Sequence, residues 1–220
     1  MAHMASTSSP DPSPSPALTV GFDLDMTLID SRPGIHACYT ALAERTGTYI
    51  DADLAVTRLG PPLTQELANW FPAEEVEATV NLYRSMYPGV AITATPALPG
   101  AREAIAAVQQ VGGRAIVVTA KYEPNAKLHL KHLGIEPDVL VGDLWAEQKA
   151  RALIEHGAGV YVGDHEGDVR GARAAGALSV TVATGPYGVE ELRAFGADVV
   201  LPDLTAFPEW LAGYLDAPRA

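Results

Sequence analysis

The chain is predicted to form an α/β domain, a doubly wound parallel sheet, with an all-helical segment inserted after the first strand. Three observations carry this expectation. From Leu18 onward, short Val/Ile/Leu-rich runs alternate with amphipathic stretches, as in a parallel sheet covered by helices on both faces. Gly and Pro punctuate the joints. Between Gly34 and Pro96 the alternation stops, over a stretch far longer than an ordinary β-to-α loop.

In chain order, the strands are expected at Leu18–Asp23, Arg114–Thr119, Val139–Val141, Gly159–Gly163, Ser179–Ala183 and Val199–Leu201. Helical patterns lie between them, near Ala101–Gln110, Pro124–Leu133, Leu144–His156, Asp168–Ala175 and Val189–Phe195. Inside the insertion only helical patterns occur, at Ile35–Thr46, Leu63–Phe71 and Ala73–Tyr87. Residues 34–96 are therefore expected to form a helical cap. The stretch Thr95-Pro96-Ala97-Leu98-Pro99-Gly100 is its return hinge, and residues 18–33 and 97–220 make the α/β core. Residues 1–17 are Ser/Pro-rich and read as an expression scar (Met1-Ala2-His3-Met4) followed by a disordered tail.

With 220 residues, 48% of them hydrophobic, the chain is long and apolar enough for one core domain and a small insertion. Its net charge of −12 argues against nucleic-acid or anionic-membrane partners. The densest basic stretch, Lys127, His129, Lys131 and His132, reads as the wet face of a helix. A single cysteine, Cys38, excludes a disulfide framework within one chain and reads as a buried filler. No apolar run is long enough to span a bilayer, and a cytoplasmic location is the default expectation.

In open α/β sheets, function gathers at the carboxyl ends of the strands. The first strand ends in Phe22-Asp23-Leu24-Asp25-Met26-Thr27, the second in Val118-Thr119-Ala120-Lys121. A later one ends in Val162-Gly163-Asp164-His165-Glu166-Gly167-Asp168. Acidic loops converging on one edge repel each other. A divalent cation removes that repulsion, and hard carboxylate oxygens suit magnesium. Either acidic loop alone is weak evidence, since a Gly-Asp after a strand is as often a helix cap. Together they form a specific combination.

That combination resembles the haloacid dehalogenase-like hydrolases, and within them the phosphatases with a helical cap after the first strand, similar to phosphoglycolate phosphatase. The resemblance covers about Thr19 to Leu201. Phe22-Asp23-Leu24-Asp25-Met26-Thr27-Leu28-Ile29-Asp30-Ser31 looks like the first motif, Thr119 the second, Lys149 the third, and Gly163-Asp164-His165-Glu166-Gly167-Asp168 the fourth.

The resemblance implies a Rossmann-like core and magnesium-dependent hydrolysis of a small phosphorylated metabolite through an aspartyl phosphate. In it Asp23 is the nucleophile and Asp25 the general acid and base, which requires a raised pKa for Asp25. Thr119 and Lys149 grip the phosphoryl oxygens. The metal set is Asp23, the Asp25 carbonyl and Asp164, with Asp168 in support, and Thr27 steadies the loop. Asp25 also favours phosphoryl transfer over carbon–halogen cleavage, because the dehalogenases of this family lack it.

The chain departs from the family pattern in three places. Met26 stands where Gly is usual and is expected to narrow the pocket beside Asp23. Ala150 follows Lys149 in place of Pro, which keeps Lys121 open as an alternative phosphate-binding group. His165 and Glu166 replace small residues, and Glu166 is expected to start the next helix. In the cap, Arg58 is either a contact for an anionic leaving group or a surface arginine, and His36 is expected on a helix face. No Lys lies between Gly34 and Pro96, which disfavours the Schiff-base chemistry of phosphonate-cleaving relatives. A phosphomutase and a non-catalytic binding protein of the same fold are the competing functions. A dinucleotide-binding dehydrogenase is weaker, because no Gly-x-Gly-x-x-Gly follows the first strand.

Overall fold

The computed structural model of the chain describes residues 18–217, so the expected tail at 1–17 lies outside the described residues. Six strands form one all-parallel sheet: β1 (Thr19–Phe22), β2 (Arg114–Val118), β3 (Val139–Val141), β4 (Val160–Gly163), β5 (Leu178–Val182) and β6 (Val199–Leu201), in the order β3-β2-β1-β4-β5-β6. All six strands match the expected positions to within a residue. The strand order reverses at β1, which puts the carboxyl ends of β1, β2 and β4 side by side.

Successive strand residues point to opposite faces, so each strand feeds two cores. Val20, Phe22, Val117, Val160, Val162, Val180 and Val182 pack on one side, beneath α5 (Ala101–Gln110), α6 (Glu123–Leu133) and α10 (Phe207–Asp216). Ile116, Val118 and Tyr161 pack on the other, beneath α7 (Lys149–Glu155) and α8 (Glu166–Ala175). In α5 the buried residues Ala101, Ala104, Ile105 and Val108 form one helical stripe. A short helix, α9 (Val189–Ala194), precedes β6.

Between the first strand and α5 stand α1 (Arg32–Thr46), α2 (Ala52–Ala55), α3 (Leu63–Leu67) and α4 (Ala73–Val90), with no strand among the described residues there. They bury a separate cluster that includes Cys38, Tyr39, Leu42, Leu67, Tyr83 and Tyr87. The chain enters and leaves this segment through two hydrogen-bonded linkers. Asp30 N–H donates to the Pro96 carbonyl (3.0 Å) and Leu98 N–H to that of Leu28 (2.9 Å).

Several expectations are corrected. The helix expected at Leu63–Phe71 ends at Leu67. The one expected at Leu144–His156 begins at Lys149, after a 3-10 turn at Ala146–Gln148. Helix α10 was not foreseen; its Phe207 and Leu211 are buried against the sheet. His129 is fully buried and so is not part of a wet face, whereas Lys127, Lys131 and His132 are exposed. Its position in α6 turns it toward α4, where its Nε2 lies 3.0 Å from the Tyr87 hydroxyl.

Candidate active site

Asp23 is the first residue after β1, Thr119 the first after β2 and Asp164 the first after β4, so three backbone termini bring them to one edge. The turn after β1 is held by Leu28 N–H and Ile29 N–H donating to the Leu24 carbonyl, at 2.9 and 3.0 Å. Thr27 Oγ1 donates to Asp164 Oδ1 (2.7 Å) and locks this turn to the β4 loop. Gly185, after β5, lies so close to the Asp164 carboxylate that a side chain there would collide with it.

Asp23, Asp164 and Asp168 are all buried, with carboxylate oxygens within 4.8 Å of one another. Lys149 bridges two of them, Asp23 and Asp168. Its fully buried ammonium donates to Asp23 Oδ1 (2.9 Å), Asp168 Oδ1 (2.6 Å) and the Tyr161 hydroxyl (2.8 Å). The other oxygen of Asp168 accepts the backbone N–H groups of Asp164 and His165, both at 3.1 Å. Asp168 thus caps α8 and fixes Lys149. Glu166 opens α8, as expected from its charge.

Lys121 sits elsewhere in the site, its ammonium 2.9 Å from Asp25 Oδ1. Thr119 lines the same cavity as Asp23 and Asp25, and its hydroxyl oxygen accepts the Lys121 N–H (3.2 Å).

The electrostatics follow from burial. Burial pushes the Asp23 carboxyl up to about 7, against the Lys149 ammonium and with help from Asp168 and Asp25. Asp164 is raised well above the usual range by burial and by the charges of Asp168 and Asp23. For Asp25 the expected raised value is corrected. Burial pushes it up, but the Lys121 ammonium, joined by Ser31 and His129, more than offsets this and leaves it below the ordinary carboxylate range. When all four carboxyls (Asp23, Asp25, Asp164, Asp168) are ionised they outnumber the two ammonium groups (Lys121, Lys149) by two negative charges. That excess, with all-oxygen donors, fits a divalent cation.

Met26 does not narrow the cavity, since it is not among its lining residues. It is buried with φ 60°, so its departure from Gly costs backbone strain instead, and Thr184 Oγ1 ties its carbonyl at 2.6 Å. His36 pairs with Asp53 on the outside of α1 and does not reach the site. Arg58 lines the cavity but is paired with Glu66 at 2.5 Å.

Tyr161, Trp145 and Thr184 join the site without a sequence signal of their own. Tyr161 sits inside an apolar strand pattern, where nothing distinguishes it from core. Gly60 packs on His165 so tightly that a Cβ would lie 2.7 Å from its ring, and Trp145 packs on His165 from the core (ring centroids 5.1 Å apart). Among the described residues, no helix is long and apolar enough to cross a membrane.

A family model described as haloacid dehalogenase-like hydrolase matches residues 20–173. The tyrosine-protein kinase PtkA of Mycobacterium tuberculosis is 32% identical over 76% of this chain, which covers only 62% of that protein's length. A phosphoglycolate phosphatase of Rhodospirillum rubrum is 30% identical, over 86% of this chain and 89% of its own. The solved structure of a predicted phosphatase from Clostridium acetobutylicum shares the fold, with TM-score 0.78 and 23% identity over 90% of this chain and all of that one. With that fold, these relatives and the matched model spanning both acidic loops, the chain belongs to the haloacid dehalogenase-like hydrolase family.

Proposed function

We propose that the protein is a phosphoric monoester hydrolase that requires a divalent cation, magnesium, and works through an aspartyl phosphate on Asp23. The observation that supports this reading is the contact between Asp23 and Lys149 beside Asp164, a carboxylate nucleophile next to a fixed ammonium and a second carboxylate. Residues 34–96 serve as a cap over the sheet edge and keep water from the site.

An Asp23 oxygen attacks phosphorus, the bond to the leaving alcohol oxygen breaks, and the phosphoryl group remains on Asp23. Asp25 supplies the proton to the leaving oxygen, then takes one from the water that splits the aspartyl phosphate. In the resting site Lys121 holds Asp25 ionised. A phosphoryl dianion entering beside them competes for Lys121 and lets Asp25 take up its proton. Thr119 holds one phosphoryl oxygen, and Lys149 turns the proton it gives Asp23 toward another as Asp23 attacks, while Asp168 keeps Lys149 in place.

Asp23, Asp164 and the Asp25 carbonyl are the residues that would hold the cation. When bound, it neutralises charge developing on the phosphoryl oxygens. The phosphoglycolate phosphatase among the relatives makes phosphoglycolate one of the first esters to assay.

The test is release of inorganic phosphate from a metabolite-ester panel, with and without magnesium, by wild type and Asp23→Asn. Release that needs both magnesium and Asp23 is the expected result; no release from any ester overturns the reading. The kinase relative favours one second reading, transfer of the phosphoryl group to an acceptor hydroxyl instead of water. Loss of ester with a phosphorylated acceptor and no free phosphate would decide for it.

A further inference from the structure

We propose that the ester split here has an uncharged, apolar leaving group about the size of an aromatic ring, and that a second anionic group on the substrate is selected against. This rests on the hydrolase reading and narrows its substrate class.

The cavity that opens onto Asp23 and Asp25 has a volume of about 260 Å³. An apolar cavity of roughly 150 Å³ is enough to take up benzene. There is therefore room for a ring beyond the phosphoryl group. On the side away from the sheet Ile35, Tyr39, Leu63 and Tyr83 give the cavity apolar and aromatic surface beside Arg58, Glu66 and Arg84, and Trp145 adds a ring from the sheet side. Tyr39 and Tyr83 are buried and packed ring to ring at 5.2 Å, so this side of the cavity is firm.

Three cations line the cavity, and each already has a carboxylate partner. Lys121 is 2.9 Å from Asp25, Arg58 is 2.5 Å from Glu66, and Arg84 is 3.1 Å from Asp143.

Both arginine pairs are anchored by further contacts. Trp70 Nε1 donates to Glu66 Oε1 (3.0 Å), which keeps that carboxylate against Arg58. The Arg84 guanidinium lies 4.1 Å over the Tyr122 ring, and Asp143 accepts the Glu123 N–H (3.2 Å). A carboxylate on the leaving group would have to displace one of these anchored acids. It would also meet the negative charges of Glu66 and Asp143, which line the same cavity. An apolar ring displaces only water from aromatic surface. The pairing of Arg58 and Arg84 leaves this arginine-bearing cavity without an unpaired guanidinium to offer an anion.

The test compares 2-phenylethyl phosphate, ethyl phosphate and phosphoglycolate, all esters of aliphatic alcohols, so that binding of the leaving group dominates the difference. The expected kcat/KM for the phenylethyl ester exceeds that for the ethyl ester by about tenfold or more, with phosphoglycolate lowest. Phosphoglycolate equal to or better than the phenylethyl ester overturns the proposal, as does no gain from the ring.

Calorimetric binding of the same esters to Asp23→Asn, with magnesium present, separates this proposal from the hydrolase reading. The expected order of affinity there with no phosphate release by wild type defeats the hydrolase reading alone. The reversed order with phosphate release defeats this one alone. Glu66→Gln keeps an acceptor for Trp70 but frees the Arg58 charge. It is expected to raise the phosphoglycolate to phenylethyl ratio of kcat/KM up to about fivefold, the upper range for one partly exposed ion pair. An unchanged ratio shows that the pair does not set charge selection, and overturns the proposal.

Discussion

Lys149 and Asp23 meet 2.9 Å apart with the ammonium wholly out of contact with solvent, although 126 positions separate them in the chain. A buried ammonium is stable only when its protons are all received, and Lys149 has three acceptors: Asp23, Asp168 and Tyr161. The same contact that positions the carboxylate also carries part of the fold.

Replacing Lys149 by Met should therefore damage stability and activity together. Removing one partner of a buried pair leaves uncompensated carboxylates at Asp23 and Asp168 and costs roughly 3–5 kcal/mol. Urea denaturation reads the loss. A Lys149→Met protein as stable as wild type would show that the ammonium contributes no net stability.

Asp23→Asn should separate the two effects. The amide still accepts from Lys149 through its oxygen and carries no buried charge, so stability should stay within about 1 kcal/mol of wild type. Phosphate release should fall below detection. A thermal melt beside the assay checks both parts, and appreciable turnover by the variant would rule out Asp23 as the nucleophile.

Cation binding should depend on pH. Asp23 is raised to about 7 in the folded, metal-free site, above its unfolded value, so folding favours its protonated form. Its contribution to metal-free stability is present at low pH and is lost as pH rises through about 7. A divalent cation takes the ionised carboxylate, so magnesium binding must release that proton below pH 7. The magnesium-induced rise in Tm should therefore be small at pH 5.5 and grow as pH rises through 7, with Asp164, whose carboxyl is also raised, adding to the growth. A rise independent of pH would place the cation away from Asp23.

The His129–Tyr87 contact predicts a second pH effect, of opposite sign. Burial, with Lys121 nearby, pushes the His129 imidazole down to about 3, and Tyr87 is its hydrogen-bond partner. The folded state then binds fewer protons than the unfolded one between about pH 3 and 6.5. The stability from a neutral His129 is complete above 6.5 and is lost as pH falls toward 3, at about 1.4 kcal/mol per pH unit at most. His129→Leu should flatten the stability–pH curve of the magnesium-loaded protein between pH 4 and 6. Tyr87→Phe should cost about 1 kcal/mol at pH 7 by removing the hydrogen bond.

Much of the fold was legible because its signals are local. A parallel strand buried on both faces needs a short apolar run, and a helix over a sheet needs a 3.6-residue stripe. Val160–Gly163 and Ala101–Gln110 state these needs within their own residues. Helix α3 was misread at its end, since Trp70 and Phe71 continue the apolar pattern after the helix has stopped at Leu67. Asp23, Thr119 and Asp164 were also legible, because strand ends in such a sheet converge and their order on one edge follows from chain order.

The pairing of the site's charges was not legible. That Lys149 reaches Asp23 while Lys121 reaches Asp25 depends on how α7 and the loop after β2 pack on the sheet. The lowered value of Asp25, the burial of His129 and the masking of Arg58 by Glu66 have the same origin. Hydrophobic pattern and strand-end chemistry are properties of neighbours in the chain, and the sequence by itself determined the sheet, the helical insertion and the acidic edge. Which cation faces which carboxylate is a property of neighbours in space, and only the tertiary structure decided it.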